Sequence, residues 1–125
     1  MPTIPIRGTD APVKALSGPE RWSAYRLVVM ADDLERDLLA VSVLGHVWAY
    51  SPPMPTKDRG QSAQEYGSAV SERLEAAGYS VTEIVTAAWT FLAPIIEEHR
   101  PPTVEEVEEA RGNSPESPPS ATDSA

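Results

Sequence analysis

Four times along the chain a serine or threonine is followed three residues later by glutamate: Ser17/Glu20, Ser62/Glu65, Ser80/Glu83 and Thr103/Glu106. This is the spacing of the capping box, in which the hydroxyl and the carboxylate each satisfy a backbone N–H left open at a helix start. Each pair precedes a run with helical periodicity, so most of the chain is committed to helix.

The first run extends from Pro19 to about Tyr50. Leu27, Leu34, Leu38, Val41 and Trp48 recur on one stripe, filled by Ala31 and Gly45, and Trp22, Tyr25 and Val29 form an adjoining one. The run is long for one helix, and Asp32 and Asp33 suit a break near residue 31. The sequence leaves both readings open, with a strand around Val41–Trp48 as a minor alternative. Leu38–Tyr50 carries no charge and has to be buried on most sides. Ser51-Pro-Pro-Met-Pro55 stops the helix and opens a connector expected to be exposed and mobile.

A second helix is expected over 63–77, closed by Gly78. A third starts after Ser80, with Val81, Ile84, Val85, Ala88, Leu92, Ile95 and Ile96 at the helical period and Trp89 and Phe91 beside or across from them, and Pro94 should kink or end it. A short helix, Val104–Arg111, follows Pro101-Pro102. Residues 1–16, with Pro2, Pro5, Pro12 and Gly8, read as an irregular arm in which Thr3–Ile6 is at most a short extended piece. Residues 112–125 have no apolar side chain larger than alanine and read as a disordered, acidic, Pro/Ser-rich tail. The expectation is an all-α fold: a small antiparallel bundle of three to five helices over 17–111.

The 125 residues carry a formal net charge of −9. Residues 101–125 hold six acids and one base, more than half of that excess. The absence of cysteine excludes disulfides, thiolate metal sites and a cysteine nucleophile. No glycine-rich phosphate loop is present. The longest uncharged apolar stretches, Leu38–Tyr50 and Ile84–Ile96, fall short of the ~20 residues of a membrane span. With no apolar leader, a cytoplasmic location is expected, without membrane contact.

His46, four residues after Ser42, is the one candidate acid/base group; its ordinary reading is a helix histidine bonded to a hydroxyl or carbonyl. Glu97, Glu98 and His99 with His46 lack ligand spacing, so no metal and no cofactor are expected. Asp32, Asp33, Glu35, Arg36 and Asp37 lack the pattern of a calcium loop. A helix-turn-helix across Leu74–Leu92 would present Glu83 and no basic or amide donor from Val81 to Phe91, which argues against nucleic acid. No catalytic residue is assigned. What remains is a surplus of apolar helix surface, for which Trp48, Trp89 and Phe91 are the candidate partner-binding residues, on faces that would bind a protein or a second copy of the chain.

The layout, with its arm, its helices over 17–100, the segment Ala77-Gly-Tyr-Ser-Val-Thr-Glu-Ile84 and an acidic Pro/Ser-rich end, resembles the tail assembly chaperones of actinobacterial phages. That resemblance implies a non-enzymatic adaptor whose helical body binds the tape-measure protein, in the host cytoplasm. Two other readings stand beside it: an acidic, antitoxin-like regulator that masks a basic partner, and a helical domain that binds a small molecule near His46.

Overall fold

The computed structural model describes residues 2–100, together with the isolated position 108. The chain is mostly helical: a β-hairpin of β1 (Thr3–Ile6) and β2 (Thr9–Pro12) precedes α1 (Gly18–Val29), α2 (Asp33–Val47), α3 (Ala63–Ala76) and α4 (Val81–His99). The short helix expected over 104–111 and the tail 112–125 lie outside the described residues.

Three capping boxes close in both directions. The hydroxyls of Ser17, Ser62 and Ser80 accept from the N–H groups of Glu20, Glu65 and Glu83 at 3.3, 3.1 and 3.1 Å. The glutamates accept in return from the serine N–H groups at 2.7, 2.8 and 2.8 Å. The fourth, Thr103/Glu106, lies outside the described residues. The long first run is two helices, broken at Met30–Asp32. The break is held by Arg36, which donates to the carbonyls of Val28 (3.1 Å) and Ala31 (3.0 Å) that the end of α1 leaves open. Pro94 does not end α4, which continues to His99; the missing N–H costs one bond in an otherwise continuous ladder.

The hairpin corrects the expectation of an all-α fold with an irregular arm. Arg7 and Gly8 form its two-residue turn, both at positive φ (50° and 73°), the geometry whose twist matches paired strands. Ile6 pairs with Thr9 across the turn, and Ile4 with Ala11, Pro5 with Asp10 and Thr3 with Pro12 follow. Hydrogen-bonded and non-bonded pairs alternate in an antiparallel ladder. With Ile6–Thr9 bonded next to the turn, Pro5 and Pro12 fall in the non-bonded pairs, where a missing N–H costs nothing. The Val13 N–H bond to the Pro2 carbonyl, 2.9 Å, keeps the same alternation. Ile4 and Ile6 point inward and Thr3 and Pro5 outward.

After β2 the chain runs antiparallel to the exit of α2: Val13 bridges Trp48, the Lys14 N–H donates to the Val47 carbonyl (2.7 Å) and the Ala49 N–H to Pro12 (3.1 Å). Residues 56–60 of the connector are exposed, whereas the segment 52–55 that opens it is tied down. The carbonyls of Pro52, Pro53 and Pro55 accept from Trp48 Nε1 (3.0 Å), Arg73 (2.5 Å) and the Tyr66 hydroxyl (2.7 Å). Leu44, Leu74, Ile84 and Leu92 are fully buried at the centre of one core that takes side chains from the hairpin and all four helices.

Arg7 locks the hairpin to the turn between α3 and α4. Its guanidinium donates to both carboxylate oxygens of Glu83 (3.1 and 2.8 Å) and to the Gly78 carbonyl, and lies over the Tyr79 ring. This pairing, with the Ser80 N–H, holds the Glu83 carboxyl down at about 2. A carboxyl depressed in the folded state stabilises above its ordinary value, and that stabilisation is lost as pH falls from about 4.5 towards 2. Arg7→Gln is expected to lower the melting temperature at pH 7 and to flatten this acid limb. The check is a set of thermal melts between pH 7 and pH 2; identical acid limbs in the two proteins would show that the pair does not link hairpin to helix.

Candidate functional site

The three candidate interface residues face three different neighbours. Trp48 is 5% exposed, a core residue that caps α2 and offers a partner no surface. This corrects its place among the binding candidates: the chain leaves helical geometry at Trp48, and the pairing with Val13 turns its indole inward. Trp89 is half-buried and donates its Nε1–H to Asp37 across to α2 at 2.8 Å. Phe91 is half-buried on the other side of α4 and lines a shallow groove of about 360 Å³ with Ile4, Val13 and Pro94.

The apolar surface that is exposed lies on α1 and at its corner with α2. Ala24 and Val28 are the inner face of α1; Trp22 and Val29 lie away from it, and Tyr25, between them on the i, i+3, i+7 stripe, is half-buried against the core. Trp22 is 48% exposed, Val29 44%, Met30 74% and Leu34 96%. Trp22 stacks on Tyr25 with ring centroids 5.7 Å apart, and His99 at the end of α4 lies 5.4 Å from each. Arg21 beside them is engaged with Glu98 at 3.0 Å, whereas Arg26, one turn after Trp22, has no ion-pair partner among the described residues. The stripe Trp22–Tyr25–Val29 is visible in the sequence as a periodicity, but periodicity alone does not say which stripe faces inward. Leu34, on the same stripe as Leu27 and Leu38 in an unbroken helix, is exposed because the break at Met30–Asp32 resets the helical phase. Val81, which follows the helical period of α4, is likewise exposed, in the first turn.

His46 lies on the outward side of the last turn of α2, where two open grooves meet. One, of about 660 Å³, runs along α1 past Leu16, Pro19, Ala24 and Leu27. The other, of about 610 Å³, passes Tyr50, Met54, Lys57 and Tyr66, and Lys14 lines both. Its ring stacks on Tyr66 at 4.8 Å. Ser42 is not its partner, since that hydroxyl is buried and donates to the Leu39 carbonyl at 2.6 Å. Burial, and then the Lys57 charge, lower the His46 pKa, so the imidazole is neutral at pH 7. Burial raises the pKa of Tyr66.

Most of the acidic groups weighed as metal ligands have other partners among the described residues. Asp33 pairs with Arg36, Glu35 accepts from Gln64, Glu97 pairs with Arg100 and Glu98 with Arg21. His99 sits among aromatic rings rather than beside His46. Among the described residues no group of three His, Asp or Glu side chains is placed to hold a metal ion. No helix among them is long and apolar enough to cross a membrane.

These features define a small, mostly helical module with an N-terminal hairpin, an exposed aromatic face on α1 and a basic groove at the end of α2. No family model, no curated protein and no solved structure matches the chain.

Proposed function

We propose that the chain is a non-enzymatic binding module whose α1 face docks an apolar helix of a protein partner. The observation that carries this is the exposure of Trp22, Val29, Met30 and Leu34 on α1 and at its corner with α2, with Tyr25 half-buried beside Trp22. Such patches on small domains mark interaction sites, and a helix face offers anchors at i, i+3 and i+7 to an amphipathic partner. Arg26, unpaired within that face, favours a partner helix with an acidic residue beside its apolar stripe. The resemblance of the layout to phage tail assembly chaperones makes a helical segment of a tape-measure protein the partner to test first, with assembly chaperone as the role.

The test is a titration of the full chain with helical peptides tiling a tape-measure protein encoded with it, read by calorimetry and sedimentation. A peptide should bind, and Trp22→Ser with Met30→Ser should weaken it by at least tenfold, the usual effect of removing central aromatic anchors. These exposed changes should cost about 1 kcal/mol of stability or less. If the chain binds only itself through this face, the tape-measure reading fails and a homo-oligomer replaces it. A monomer that binds no peptide, and whose apolar dye binding is unchanged by the double substitution, overturns the docking face.

A further inference from the structure

Lys14 and Lys57 are the only lysines in the sequence, and both line the groove of about 610 Å³ that passes His46. They arrive from distant parts of the chain, Lys14 from the segment after the hairpin and Lys57 from the connector before α3. The chain is acidic, at a formal net charge of −9, yet among the described residues that line this groove there is no Asp or Glu. Neither ammonium group has an ion-pair partner among the described residues, whereas Arg7, Arg21, Arg36 and Arg100 each hold a carboxylate.

The carbonyls of Pro52, Pro53 and Pro55 accept from Trp48, Arg73 and Tyr66, and the Val47 carbonyl at the end of α2 accepts the Lys14 N–H. That bond satisfies one of the acceptors at the negative end of the α2 dipole, so the two ammonium groups have to outweigh the rest of it for an anion to bind here. Two cations, a neutral imidazole able to donate, and the exposed ring of Tyr50 thus surround an open space of the size that small ligands occupy.

We propose that this groove binds a small organic dianion, a ring or short apolar body that carries a phosphate monoester or a pair of carboxylates. Lys14 and Lys57 take the charge, an N–H of His46 donates to one oxygen, and Tyr50 and Met54 contact the body. The groups that face His46 are Lys14 from the arm, Lys57 and Tyr50 from the connector, Tyr66 from α3 and, across the adjoining groove, Glu20 of α1. The Glu20 carboxylate is committed to the Ser17 N–H. A bound dianion therefore reverses the local field at His46 and raises its pKa from the lowered position it holds in the free protein. The site shares no residue with the exposed α1 face, so each proposal stands or falls alone.

The experiment is a nuclear magnetic resonance titration of the full chain at low salt with phenyl phosphate, phthalate, inorganic phosphate and neutral benzyl alcohol. Phenyl phosphate or phthalate should give saturable shifts at Gly45, His46 and Lys57, with an upward move of the His46 titration. The tighter of the two identifies phosphate or carboxylate as the natural head group, and inorganic phosphate should bind more weakly than the ring-bearing anion. Lys14→Gln and Lys57→Gln should each weaken binding by roughly tenfold, and Lys57→Arg should restore most of it. Arg59→Gln removes an exposed charge that does not line the groove and should leave binding unchanged. Both lysines are exposed, and the amide spectrum of each variant reports its fold directly. Linear shifts without saturation, equal binding of benzyl alcohol, or an equal loss in Arg59→Gln would each overturn the site.

Discussion

Gly67→Ala should destabilise the protein by about 2–3 kcal/mol, against the propensity scale that favours alanine in a helix by about 0.5–1 kcal/mol. Gly67 lies in α3, and a Cβ there would run into the backbone carbonyl of Leu38 in α2, far inside van der Waals contact. Backbone cannot rotate aside as a side chain does, so the two helices would have to separate. Separation would also loosen Tyr66 and Val70 against Gly45, the opposing glycine, where a Cβ would overlap Val70 and lie 3.0 Å from the Tyr66 ring. For a domain of this size the loss corresponds to a fall of about 10 °C in melting temperature. Gly45→Ala should cost less, because the groups it meets are side chains. Gly60→Ala meets open space and should be neutral or slightly stabilising. Thermal melts of the three variants check the order; a Gly67→Ala protein as stable as the parent would mean that α2 and α3 do not approach this closely.

The close contact of α2 and α3 was not legible in the sequence, although the helices themselves were. Capping boxes are local, and Ser17, Ser62 and Ser80 with their glutamates place three helix starts without reference to the rest of the fold. Gly45 and Gly67, by contrast, read as ordinary small residues until the partner helix is known. The hairpin was hidden for a different reason. Pro5 and Pro12 count against a strand when ladder positions are unknown, and their cost vanishes only in the register that places both in non-bonded pairs. Its fixing partner is also remote: Arg7 finds Glu83 and Gly78 more than seventy residues away. Leu34 shows a third limit. A stripe drawn through an unbroken helix loses its phase at a break, and the Met30–Asp32 corner leaves this leucine of the stripe exposed. The groove beside His46 has the same character, since Lys14, Lys57 and Tyr66 share no pattern in sequence and meet only because the arm pairs with the exit of α2.

Trp48→Ala should be the most damaging single change at an aromatic position, at about 3–5 kcal/mol, even though the sequence placed Trp48 on a binding face. Three losses coincide. The indole is almost wholly buried where the hairpin strand, the end of α2 and the connector meet, so truncation leaves a cavity under the bridge to Val13. Its edge contacts with Tyr50 and Tyr79, at 6.2 and 6.3 Å between centroids, disappear. The Pro52 carbonyl loses its donor, which by itself is worth about 1–2 kcal/mol. Trp48→Phe separates the terms: it keeps most of the apolar volume and forfeits the N–H, so it should fall between the parent and Trp48→Ala. Trp22→Ala, on the exposed side of α1, should stay within about 1 kcal/mol of the parent when both Trp48 variants and this one are unfolded in urea, while losing partner binding. The opposite pattern, a stable Trp48→Ala that no longer binds beside an unstable Trp22→Ala, would exchange the assignments of core and surface. A core indole reports on folding and a surface indole on binding, so unfolding and binding measurements on these two variants decide which tryptophan does which.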